Sequence, residues 1–147
     1  MDGVYAVYEN QFKIGTAGRA STAEQMKAIA DMESFSVAFD NTLQEWSAME
    51  NGGWVSGLIT GKKLTIGING KRNVGDAGND YIAGLAFKTG KDVKTVLDWT
   101  FPDGTVVHIP VNVSVKNVGT GDSVNVGPLE FECTSDGKPT VTLPGEE

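Results

Sequence analysis

Residues 70–85, GKRNVGDAGNDYIAGL, set Gly, Asp and Asn between two basic residues and an apolar run. That composition suits three kinds of chemistry: a phosphate cradle, a calcium loop, or a capped turn that opens a helix. Asp76, Asn79 and Asp80 are oxygen donors of the kind calcium accepts, but the EF-hand alternation of ligands and its closing Glu are missing. A phosphate loop finds no better support elsewhere. GLITGKK has three residues between Gly57 and Gly61 where the Walker motif has four, and it leads into a strand, so no helix N-terminus supplies the N–H cradle. VGTGDSVNVG offers Gly119 and Gly121 with the third glycine misplaced, and it too reads as a turn. His108 is the single histidine and lies on the polar side of an alternating strand, as a solvent-facing or interface residue, so a Ser–His–Asp or Cys–His device has no base in reach. Structural zinc takes four Cys or His ligands and this chain holds two such residues. Cys133, alone and on the apolar side of LEFECT, reads as a buried small hydrophobe. Carboxylate pairs for glycoside hydrolysis meet only in a fold, and nothing here selects one. The NVS sequon at Asn112 lies within a strand. The residues mark no catalytic, cofactor or metal site, and the expectation is a protein that is not an enzyme.

The elements that carry these residues are mostly of period two. Phe35, Val37 and Phe39 alternate with polar residues, as do Leu64, Ile66 and Ile68, and Leu97, Trp99 and Phe101. The longest case is Val107, Ile109, Val111, Val113 and Val115, followed by Leu129, Phe131 and Cys133 and a closing PTVTL. Such patterns are half-buried antiparallel strands, with FPDGT as a tight turn between two of them. VYAVY and FKI read as an opening hairpin across Glu9–Asn10. The fold class is mainly β, a two-sheet sandwich or partly open barrel.

Three segments interrupt the pattern. STAEQMKAIADM carries a capping-box spacing, Ser21 to Glu24, and reads either as a short helix or as a weakly ordered arm. Tyr81, Ile82, Leu85 and Ala86 fall at helical spacing, with Asp76 or Asn79 able to cap the start and Gly90 placed to cap the end, predicting a flanking helix over 76–89. Residues 41–57, NTLQEWSAMENGGWVSG, separate two strands without a clear period where a turn of two to five residues would serve. Trp46, Met49 and Trp54 in that stretch either fold back on the domain or belong to a partner, since Trp and Met are enriched in interfaces.

At 147 residues the chain is one domain by length, able to bury roughly 70% of its unfolded surface. No apolar run reaches the ~20 residues of a membrane helix, and MDGVYAVYEN lacks the basic start and apolar stretch of a secretion signal. The lone cysteine fits synthesis in a reducing cytosol. Net charge is −7, with 8 acidic and 3 basic groups in residues 1–60 and 11 and 9 in the rest. No basic block offers nucleic acid a footprint, which argues against tight DNA binding but not against proximity to DNA, since a surface that must not bind DNA should be neutral or acidic.

Residues 31–85, with WTFPDGT at 99–105 and GTGDSVNVGPLEFECTSDGKP at 119–139, closely resemble the major tail tube protein of long-tailed bacteriophages, the TP901-1-like branch. The resemblance spans essentially the whole chain and is least specific in the first 30 residues. It implies one tail tube domain over 1–147: an N-terminal hairpin and arm (1–32), a long assembly loop (41–57) and a flanking helix (76–89). It implies a structural subunit that self-assembles into hexameric rings, stacked into a hollow conduit for DNA. Strands of the six subunits would join around the lumen in a continuous barrel. The partners implied are further copies of the chain and other tail proteins (tape measure, tail tip, terminator). Genomic DNA would pass without specific binding, and no membrane or cofactor is involved. The protein would be made in the bacterial host cytoplasm and reside in the virion tail. The interface residues implied are Trp46, Met49 and Trp54 in the loop, Lys71, Arg72, Asp76, Asn79 and Asp80 around the turn, and Pro110 at a strand edge or bulge. The alternative is a tail adhesin or carbohydrate-binding β-sandwich, which would present rigid surface aromatics to glycans.

Overall fold

The computed structural model describes residues 3–144. Eight strands are present among them: β1 (Gln11–Gly15), β2 (Met26–Ala28), β3 (Met32–Ser47), β4 (Val55–Lys71), β5 (Lys94–Thr100), β6 (Val106–Val118), β7 (Pro128–Ser135) and β8 (Thr140–Thr142). One helix, α1 (Ala77–Ala83), follows β4. All pairings are antiparallel, in the order β2-β1-β5-β6-β7-β4-β3, with β8 added to β6.

The alternating side chains explain why this sheet curls. Ile66 and Ile68 of β4, Ile109, Val111 and Val113 of β6, and Leu129, Phe131 and Cys133 of β7 all project to one side and are buried together. Burying each stabilises by roughly 1.5–3 kcal/mol, which a flat sheet with one wet face could not deliver. Closure is visible in the aromatics: Phe12 of β1 meets Phe35 of β3 at a ring-centroid distance of 4.8 Å, although the two strands are not hydrogen-bonded. Trp99 stacks on Phe12 at 5.9 Å and Phe101 lies 4.3 Å from Trp99. Ile82 of α1 and Leu85 just beyond it complete the core. The result is the expected mainly-β, partly open barrel with a flanking helix, its two layers continuous in one sheet. Cys133 is buried, which pushes its thiol up to about 12 and leaves it chemically inert.

Local expectations are corrected in three places. Residues 7–9 form a single 3-10 turn instead of a strand: Ala6 N–H donates to Glu9 Oε2 and Asn10 Nδ2 to the Val7 carbonyl. FKI pairs with β2 and β5 instead. The STAEQMKAIADM segment is neither helix nor arm, because Met26, Lys27 and Ala28 pair with β1 after one 3-10 turn at Ala23–Gln25. The helix expected over 76–89 ends at Gly84, after which Leu85 and Ala86 bond three residues back and tighten the chain.

Candidate assembly surface

The turn at 70–85 proves to be a lock inside the chain. Asp76 caps α1, its Oδ2 accepting the N–H of Asn79 at 3.0 Å and of Ala30 at 3.1 Å. Asn79 is wholly buried and fully paired: its Oδ1 accepts Arg72 Nη1 and the Asn73 N–H, and its Nδ2 donates to the Lys71 and Ala30 carbonyls. Arg72 also donates to Asp80 Oδ1 at 2.7 Å, and this hydrogen bond holds the Asp80 carboxyl below the usual range. Gly78 packs so closely that an added Cβ would lie 2.3 Å from the Ala28 carbonyl oxygen. Lys71 pairs with Glu33 across the β3–β4 ladder at 3.0 Å. Arg72, Asp76, Asn79 and Asp80 thus have partners within the chain that fasten the helix to the barrel.

Pro110 lies on β6, an inner strand, rather than on an edge or bulge. It is tolerated because its carbonyl accepts the Asp136 N–H, so its nitrogen faces the gap where β7 has ended and β8 has not begun. Asp136 is anchored there by Lys94 at 2.7 Å and Arg19 at 3.0 Å, which lower its carboxyl pKa. Arg19 also donates to the Thr95 and Val111 carbonyls, a clasp that no local sequence signal announces.

His108 Nδ1 donates to Asp98 on the outer face of β5 and β6, with Thr140 next in register. No side-chain hydrogen bond joins Thr140 to His108 among the described residues. Nor, among those residues, do three or more His, Cys, Asp or Glu converge as metal ligands.

The remaining feature is the β3–β4 hairpin. Its inner half, residues 32–39 and 64–71, belongs to the barrel. Residues 40–47 and 55–63 continue as a projecting two-stranded ribbon where a loop over 41–57 was expected. Only 48–54 form the tip, a 3-10 turn at Met49–Asn51 followed by Gly52 and Gly53 at φ of 59° and 93°. The irregular sequence has a structural cause. A register shift between Thr42 and Leu43 leaves Thr60 unpaired, and apolar residues then occupy both faces: Leu43 opposite Ile59 on one, Gln44 opposite Leu58 and Trp46 opposite Ser56 on the other. Neither face packs on the domain. Trp54 is 81% exposed, Met49 98% and Trp46 51%, and Leu43, Val55, Leu58 and Ile59 are also exposed. Because β7 pairs with β4 only from Thr65 onward, both edges of the ribbon are open. A lone two-stranded ribbon is marginal in water, and open edges with exposed apolar residues invite pairing with another chain.

Solved structures share this architecture. A chain from the tail of an empty gene transfer agent particle, determined with helical refinement and C6 symmetry, superimposes with a TM-score of 0.75 at 18% identity, over 95% of this chain and 99% of that one. A chain of the native gene transfer agent virion gives 0.70 at 16% identity, over 95% and 99%. A chain from the sheath-tube complex of an extracellular contractile injection system, PVC, in its extended state gives 0.56 at 11% identity, over 97% and 94%. The likeness is one of fold. No family model matches the chain, and no curated protein matches it. No helix among the described residues is long and apolar enough to cross a membrane.

Proposed function

We propose that this protein is the structural subunit of a phage tail tube, assembling into hexameric rings that stack into a hollow conduit for DNA. The carrying observation is the bare ribbon: a partly open barrel that extends an open-edged hairpin bearing Trp46, Met49 and Trp54 has built a surface for another copy of itself. The fold shared with chains of a C6-symmetric particle tail supports this reading. Head-to-tail contact of this kind closes into rings or propagates as a filament. The TP901-1-like branch is the family the sequence resembles, with residence in the virion tail, synthesis in the host cytoplasm and contact with tape measure, tail tip and terminator proteins as its corollaries. Its role is mechanical rather than catalytic. Trp46, Met49 and Trp54 are the interface residues the geometry favours. Arg72, Asp76, Asn79 and Asp80 serve the interface indirectly by holding the helix.

The test is untagged purification, then negative-stain microscopy and light scattering over a concentration series, with and without tail-tip complex. Hollow tubes or six-fold rings are expected. A strict monomer under both conditions would overturn the proposal in favour of a glycan-binding tail adhesin.

A further inference from the structure

At the root of the ribbon, Phe39, Leu64 and Val141 form the apolar floor of a groove of about 630 Å³, and Lys62, Lys63 and Lys138 stand around it. Among the described residues none of these ammonium groups has a carboxylate within salt-bridge distance, although Asp40 is the register partner of Lys63. Lys62 instead lies over the Phe39 ring, 5.9 Å from its centroid. An apolar floor with a cationic rim fits a segment that is both apolar and acidic. The ribbon's far end has that chemistry. Trp46, Met49 and Trp54 stand there with Glu45 and Glu50, and neither glutamate forms a salt bridge among the described residues.

The tip cannot reach its own groove. Trp54 stands eight positions along the extended chain from Lys62, about 27 Å at ~3.4 Å per residue. Past Val141 the described chain continues to Pro144, which lies against Gly104 at the β5–β6 turn. We infer that the lysine-rimmed groove is the receptor for the ribbon tip of a second copy, with Glu45 and Glu50 meeting Lys62, Lys63 and Lys138 and the tip tryptophans covering the apolar floor. Tryptophan faces also attract ammonium groups, which adds to the match. Plug and socket occupy different places on one chain, so the contact is heterologous and repeats from copy to copy. This inference rests on the tube reading and names its contact.

The experiment compares tube formation by the natural chain, a tip reversal (Glu45→Lys with Glu50→Lys), a groove reversal (Lys62→Glu with Lys138→Glu) and the four substitutions combined. Melting curves confirm that each folds. Either reversal should raise the protein concentration needed for tubes by about tenfold or more, since like charges then face each other, and the combined chain should recover. A carbodiimide applied to a mixture of 14N- and 15N-labelled natural chain should give mixed-isotope amide links between Glu45 or Glu50 and these lysines. Tubes unaffected by either reversal, or links that run only to lysines at the other end of the barrel such as Lys88 or Lys116, would overturn the groove and leave the tube reading standing. Absence of both tubes and inter-copy links, with tail-tip complex added, would bring down both.

Discussion

The two halves of the β3–β4 hairpin share their strands and their pairing, yet they live in different solvents. In the inner half, Leu64, Ile66 and Ile68 are buried against β7, β6 and the helix, and Phe35 closes the barrel on Phe12. In the outer half, residues of equal hydrophobicity stand in water on both faces. The difference teaches that one hairpin can hold both a stretch that stabilises the barrel and a stretch left without any partner in its own chain. The inner half needs nothing beyond the chain, whereas the outer half lacks a partner for its edges and its faces.

That division can be broken most forcefully at the core. Phe131→Ala should cost about 3–5 kcal/mol, read as a lowered urea midpoint, through lost burial and a cavity at the barrel's centre. An equal loss from a ribbon-tip substitution would erase the distinction. Asn79→Ala should cost about 2–3 kcal/mol in the same assay, because the Lys71 and Ala30 carbonyls and the Asn73 N–H lose their partner in a buried place. A loss confined to assembly, with stability intact, would show that the lock belongs to the interface after all. Trp46→Ala combined with Trp54→Ala should leave the unfolding free energy of the monomer within about 0.5 kcal/mol of the natural chain while abolishing tubes in the microscope. The finest test is acid. Asp136 and Asp80 have lowered pKa values in the fold, so the stability they contribute is present above the unfolded carboxylate value of about 3.9 and disappears as pH falls through their folded values. Melting curves of the natural chain and of Asp136→Asn should therefore converge as the pH falls below about 4. A constant gap would mean that the Lys94 and Arg19 contacts carry no net charge-dependent stability.

How well the sequence announces each part follows from the same division. Where one face of a strand is buried and the other wet, as in β6 from Val107 to Val113 or β7 from Leu129 to Cys133, alternation is forced and can be read directly. In the ribbon no face is selected, and the unpaired Thr60 shifts the phase, so the alternation that marks strands is lost. The tip was still visible through its tryptophans. Asp76 was legible as a cap because the signal is local, three residues from Asn79. Pro110 misled because tolerance of proline depends on which strand lies opposite, and the gap between β7 and β8 is a property of the whole sheet. The clasp of Arg19 on Thr95, Val111 and Asp136 joins residues 76 to 117 positions apart and has no local trace. The lysine-rimmed groove was equally hidden, since Lys62 and Lys138 come together only when β8 turns back along β6.

The ribbon is also a lever. It is fixed only at its root and extends about 27 Å beyond Phe39, so a swing of about 10° there carries the tip sideways by about 5 Å. The close-packed barrel permits no comparable displacement of its own side chains. A structure built from such parts would flex at its joints while each bead kept its shape, so curvature of the whole could be absorbed without loosening any core.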